Sequence, residues 1–323
     1  MGVLDGERYL RAAVESVLTQ SFPDFEFVIV DDASADTTRQ ILDSFADDRI
    51  QIVTNQHNLG LTRSLNVGLA AARGAYVARM DADDVTLPGR FEQQVAFLDA
   101  NPERAMVASF VEHIDADGAS LGVVRSPVEQ GEIVRSLRQG NCFAHGTVMF
   151  RRDRAEALGG YDEEMEHSQD YDLWLQMLDE HRLACLPEVL YRWREHPLSI
   201  SSRRGREQER FARLARRKSR VRRAKRVVAR VECGELGVRE AARGIGDFAC
   251  EQASRPMAEA PREAVSSRVR SRLRKSSAWQ RWILRPRVEA QASRALEALS
   301  TAGRNVVATR DFLTGLLEDP FDS

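Results

Sequence analysis

With 323 residues and a formal net charge of −2, the chain has room for a sizeable core and a second domain. It offers no global electrostatic attraction for nucleic acid. No apolar run approaches the ~20 residues that span a bilayer, and residues 1–8 have neither the basic start nor the apolar centre of a secretion signal. Cys142, Cys185, Cys233 and Cys250 are far apart and lack metal-ligand spacing, as expected of reduced thiols in a cytoplasmic protein.

Leu10, Val14, Val17 and Leu18 predict an amphipathic helix over 6–20, broken by Ser21-Phe22-Pro23-Asp24. Residues 25–30 are nearly all apolar, as in a strand covered on both faces. They run into Asp31-Asp32-Ala33-Ser34-Ala35-Asp36, where Ser34 or Asp36 caps a helix to residue 45. A strand at 50–54, a turn to Gly60 and a helix to about residue 73 follow, with Gly74 as C-cap. The next stretch, Ala75-Tyr-Val-Ala-Arg-Met-Asp-Ala-Asp-Asp84, is a strand ending in three carboxylates within four positions. It is read either as a solvated acidic turn before Pro88, or as a place where a hard divalent cation offsets their repulsion and holds a diphosphate.

This alternation predicts a parallel sheet with right-handed crossovers. It puts Asp31, Asp32 and the Asp81 cluster at the carboxyl ends of strands, on one edge, where open α/β sheets bind ligands. Further on, a helix is expected at 90–100, strands at 105–111 and 121–124 around an Asp115–Gly118 turn, a helix at 133–137, a strand at 147–150 and a helix at 152–158. Asp170 stands at the start of a helix carrying Leu173, Leu175 and Leu178; an N-cap role alone would account for it. Strands at 183–186 and 189–193 close the sheet region at Glu195-His196-Pro197. From residue 203 to 230 Arg and Lys crowd the chain over a thin apolar stripe. The segment is either a solvated basic helix or a surface that docks on anionic lipid. Trp279, Trp282, Ile283 and Leu284 form the one strongly apolar cluster of the remainder, and residues 312–317 are expected to dock the tail.

Several motifs stand in one order: Val30-Asp-Asp-Ala-Ser34, Asn58-Leu-Gly-Leu-Thr-Arg-Ser-Leu-Asn-Val-Gly68, Ala78-Arg-Met-Asp-Ala-Asp-Asp84, Gly159-Gly-Tyr-Asp162, Gln169-Asp-Tyr-Asp-Leu-Trp174 and Tyr191-Arg-Trp-Arg-Glu-His196. Together they resemble family-two glycosyltransferases over residues 3–201. The resemblance implies a GT-A fold, a Rossmann-like α/β architecture with a mostly parallel central sheet flanked by helices. It also implies an inverting mechanism and a nucleotide-sugar donor held by Mn²⁺ or Mg²⁺. Carried over residue by residue, the catalytic base falls on Asp170. Donor nucleotide contacts fall on Asp31, Asp32, Arg63 and Asp81, with Arg79 a further phosphate candidate. Metal ligation falls on Asp81, Asp83 and His196, and acceptor contacts on Gly160, Tyr161 and Trp174. Trp174 is equally well read as core, and His196 alone as a surface residue. Leu65 and Gln169 depart from the family's usual Arg and Glu.

The largest departure is at the start: Val3-Leu-Asp-Gly6 keeps only the end of a turn that follows the family's first, central strand. That strand is expected to be missing, and Met1 to be a misassigned start. Two domains are expected, a glycosyltransferase domain over 1–201 and a basic helical extension over 202–323. The leading functional reading is a metal-assisted transfer from a nucleotide-diphosphate sugar, UDP favoured, to a glycan or lipid-linked acceptor during cell-surface polysaccharide synthesis. The enzyme would be cytoplasmic, with its basic segment against the inner face of the membrane and no nucleic-acid partner. The alternatives are a non-catalytic nucleotide-sugar or glycan-binding protein and a sugar-1-phosphate nucleotidyltransferase. The latter lacks its Gly-rich N-terminal loop here.

Overall fold

The computed structural model describes residues 1–197, 199 and 205–232. The expectations for Cys233, Cys250, the Trp279 cluster and the segment 312–317 lie outside the described residues. Two compact units are distinguished, Met1–Arg216 and Arg217–Ser323. The first runs past residue 201 because the opening turns of a long helix, α8 (Gly205–Glu232), bring Phe211, Leu214 and the buried Ala215 to its core.

Strands β1 (Gly2–Val3), β2 (Phe27–Asp31) and β3 (Ile50–Thr54) form a parallel sheet in that order, Val3 lying opposite Asp31. Helices α1 (Leu10–Leu18), α2 (Thr38–Asp43) and α3 (Leu61–Ala71) connect and follow these strands. The buried residues of α1, Leu10, Ala13, Val14 and Val17, recur at helical spacing, and this stripe supplies its packing energy. Where the family's first strand was expected to be missing, the structure has only the two residues of β1, paired with β2.

The second sheet contains β4 (Tyr76–Ala78), β8 (Met149–Arg151), β6 (Arg104–Ile114), β9 (Arg182–Arg194) and β5 (Val85–Thr86) in that spatial order, with β7 (Ser120–Val124) paired to β6. Its long central pair β6–β9 is parallel, as expected, and its other pairings are antiparallel. Helices α4 (Arg90–Ala100), α5 (Gln130–Gln139), α6 (Arg152–Ala157) and α7 (Gln169–Glu180) complete this part.

The two sheets are not hydrogen-bonded to each other. Between them lies a largely apolar cavity of about 640 Å³, with Phe25, Phe27 and Val28 on one side, Tyr76 and Ala78 on the other, and Met1 and Arg79 at its margin. The second sheet is tied to α4 by a buried polar knot. Arg90 donates to the carbonyls of Arg79 and Val148 and to Gln94 Oε1 at 2.9–3.0 Å, and its guanidinium lies over the Tyr191 ring.

Candidate active site

A cleft of about 810 Å³ opens at the end of the second sheet. Asp81, Asp83 and Asp84 come to it on the loop that leaves β4. Asp170 comes on the first turn of α7, and Asn141 on the loop after α5. Acids 86–89 positions apart in sequence thus face one space.

Asp170 is partly buried and accepts a hydrogen bond from Asn141 Nδ2 at 2.8 Å. Desolvation by burial raises its pKa above the usual carboxylate range, against the lowering effect of the Tyr171 backbone N–H, Asn141 and Arg79. Such a group is a better proton acceptor than a solvated aspartate. Ser168, immediately before α7, is left-handed at φ 56°, which turns the chain sharply into the helix.

The acidic loop is held from several sides. Asp81 pairs with the buried Arg79 at 2.7 Å, and its backbone N–H donates to the Tyr191 hydroxyl. Asp83 Oδ2 lies 2.9 Å from His196 Nε2. Arg194 donates from its backbone to Asp84 Oδ1 and from its side chain to the Asp83 carbonyl. Burial, then the neighbouring Asp81 charge, raises the pKa of Asp83; burial together with Asp81 and Asp83 raises that of Asp84 well above the usual range.

This donor set suits a hard divalent cation. It offers crowded carboxylates, whose mutual repulsion adds to burial in raising the pKa of Asp83 and Asp84, and an imidazole. The set is not gathered in advance. Among the described residues no group of three or more His, Cys, Asp or Glu side chains is placed to hold a metal ion. Asp81 is turned to Arg79 while Asp83 and His196 face each other.

The other sequence candidates fall elsewhere. Asp31 is buried at the end of β2, where one carboxylate oxygen accepts the Ser34 N–H at 3.1 Å. Asp32 is saturated by Asn55 Nδ2 and the Leu59 and Gly60 backbone N–H groups at 2.7–2.9 Å, so it fixes the turn into α3. Neither lines the cleft, and neither does Arg63, which pairs with Glu163 at the surface.

The expected acceptor contacts of Gly160, Tyr161 and Trp174 are corrected by burial. Trp174 is fully enclosed among core residues including His145 and Phe150, leaving no ring face for a sugar. Tyr161 is also buried, with its hydroxyl 3.0 Å from His145 Nε2. Gly160, at φ 74°, packs where a Cβ would come within 2.8 Å of Asn66 Oδ1.

Tyr191, Arg194 and Asn141 were not singled out individually from sequence. The first two sit inside the Tyr191–His196 motif, which could have flagged them. Asn141 lies in no motif, and only the fold brings it to Asp170.

The pattern of the family described as Glycosyl transferase family 2 matches residues 3–159. The chain is 36% identical over 201 residues to the putative glycosyltransferase EpsE of Bacillus subtilis, covering 60% of this chain and 71% of that protein. It is 27% identical to an Escherichia coli protein named as UDP-Glc:alpha-D-GlcNAc-diphosphoundecaprenol beta-1,3-glucosyltransferase WfgD, covering 64% of this chain and 79% of that one. In fold it is similar to S. aureus TarS 1–349 in complex with UDP-GlcNAc, with a TM-score of 0.59, 17% identity, and coverage of 99% of this chain and 90% of that one. With an acidic loop and an acid-bearing helix facing one cleft at the end of its sheet, and with relatives of this kind, the chain is a glycosyltransferase that belongs to glycosyl transferase family 2.

Proposed function

We propose that the chain is an inverting glycosyltransferase that moves a sugar from a UDP-sugar to a hydroxyl of a lipid-linked or glycan acceptor in surface-polysaccharide synthesis. The observation that carries this reading is the shared cleft of Asp170 and the Asp81–Asp84 loop. Asp170 takes the proton of the acceptor hydroxyl as its oxygen attacks the anomeric carbon. The bond from that carbon to the diphosphate oxygen breaks, and the nucleoside diphosphate leaves with the electron pair. One base suffices, and attack opposite the leaving group inverts the anomeric centre.

Asp83 and His196, with Asp81 and Asp84 beside them, would hold Mn²⁺ or Mg²⁺, whose charge offsets that of the departing diphosphate. Asp31, with one carboxylate oxygen engaged by Ser34, is suited to accept the imide N–H of uracil, while Asp32 keeps the neighbouring turn in place. UDP and a lipid-linked acceptor are favoured by the ligands in the names of TarS and WfgD. No helix among the described residues is long and apolar enough to cross a membrane. The basic helix α8 suits contact with anionic lipid.

The test is UDP release from UDP-glucose and UDP-GlcNAc with and without Mn²⁺, for the native chain and Asp170→Asn. A metal-dependent turnover lost in the variant, with donor binding kept, is the expected result. Binding without turnover in the native chain would instead establish a non-catalytic sugar-nucleotide binder.

A further inference from the structure

Strand β7 is unusual in that all five residues, Ser120–Val124, are exposed, although three of them are apolar. Leu121 is 56% exposed, Val123 39% and Val124 47%; Val128, just beyond, is 40% exposed. These four, with Leu4, are the large exposed apolar residues among those described. On its far side β7 pairs with no strand among the described residues, and it ends at the cleft. Val124 and the exposed Arg125 both line the space that Asp170 and the acidic loop face.

The order of chemistry along this ribbon is therefore apolar strand, cation, cleft. Val123 stands opposite Glu112 and Val124 opposite Val111, residues that pair with β9 on their other side, so the two side chains leave opposite faces at the edge of the sheet. A protein partner laid against one face would leave the other apolar face wet. Flexible hydrocarbon can cover both. Four exposed large apolar residues gathered in one short stretch beside a site mark a binding surface.

We propose that β7 and Arg125 form a docking ramp for an amphiphilic acceptor, the isoprenoid chain lying along Leu121, Val123, Val124 and Val128. Its phosphate meets Arg125, and its sugar reaches Asp170. The assignment rests on the transferase reading above and deepens it by naming the surface that selects a lipid-linked acceptor over a free sugar. The charge order supports it: an anionic linker between an apolar chain and a polar sugar matches a guanidinium between an apolar ribbon and a polar cleft.

The first measurement does not depend on catalysis. Farnesyl diphosphate and inorganic pyrophosphate are titrated against the native chain and against the double variant Leu121→Thr, Val123→Thr, whose side chains are exposed and outside the cleft. The native chain is expected to bind farnesyl diphosphate at least tenfold more tightly than pyrophosphate. The double variant is expected to lose that preference, and Arg125→Gln to weaken both ligands together.

The second compares kcat/KM for one acceptor sugar carried either on a polyprenyl diphosphate or on a short water-soluble aglycone. The double variant is expected to raise KM about tenfold for the first and to leave the second unchanged. Equal binding of both ligands by the native chain overturns the ramp. So does an equal loss with both acceptors, a shift of the double variant from dimer to monomer, or loss of plain vesicle binding with farnesyl diphosphate affinity retained. Absence of transfer to any acceptor defeats the transferase reading alone, because the titration still decides the ramp.

Discussion

The contact between Asn141 and Asp170 makes the proposed base adjustable. Asn141 donates to the charged form and so holds the carboxyl pKa below where burial alone would put it. Removing the donor in Asn141→Ala favours the protonated acid, which cannot accept the acceptor's proton. The acidic limb of the pH profile of kcat/KM is therefore expected to move to higher pH, with activity approached again in alkaline buffer. A shift to lower pH, or none, would show that Asn141 does not set the base. Gly146 gives a residue-scale prediction about stability. A Cβ there would lie 2.2 Å from the Tyr191 hydroxyl oxygen, and Tyr191 is fixed under Arg90 and against the Asp81 N–H. Gly146→Ala is expected to cost about 1–3 kcal/mol through overpacking, read as a lower denaturation midpoint.

Asp83, Asp170 and His196 are legible as candidates through the resemblance, since alone Asp170 reads as an N-cap and His196 as a surface residue. Asn141 is not legible, since its partner lies 29 positions away and its neighbours carry no pattern. Trp174 has two readings, a sugar platform and plain core, and the apolar residues around it in α7 place it in the core.

At the scale of elements, local chemistry explains most of what was readable. The helix expected at 90–100 and the strand at 50–54 coincide with α4 and β3, because periodicity and flanking turns agree there. β9 is one strand, Arg182–Arg194, where two were expected. Pro187 lies in the gap between the two expected strands, and the sheet absorbs it at an irregularity in register against Ser109 and Phe110 of β6. Strand direction was less legible. The long β6–β9 pair is parallel, but β4, β5 and β8 are two or three residues long, and tertiary pairing rather than their own sequence sets their orientation. The turn from β3 into α3 is gathered by Asp32, which accepts from Asn55 Nδ2 and the Leu59 and Gly60 N–H groups, while the Gly60 N–H also reaches Asn58 Oδ1 and Asn55 Nδ2 also reaches Ser64 Oγ. Asp32→Ala takes the acceptor from the half-buried Leu59 N–H and leaves the Gly60 N–H and Asn55 Nδ2 with one acceptor each. It is expected to destabilise the fold by about 1–2 kcal/mol and to weaken donor binding through displacement of the β2 end, measured by denaturation and nucleotide titration.

For the whole first unit, the division of strands into two sheets is the main fact that no local pattern announced. β2 and β4 belong to different sheets and meet across the cavity lined by Phe27, Val28, Tyr76 and Ala78. The smaller sheet then relies on side-chain packing for its attachment. Amides of β2 and β3 are expected to exchange with solvent faster than those of β6 and β9, through partial opening that spares the larger sheet. Uniform protection across both would show that the cavity does not weaken the join.

The proposed nucleobase contact and the proposed base stand on opposite sides of that seam, Asp31 on the smaller sheet and Asp170 beside the larger. A sugar nucleotide touching both would act as a rivet, and its binding energy would appear as mechanical coherence. The weaker half would be the one that gains, so the enzyme would be assembled most firmly at the moment it holds its donor.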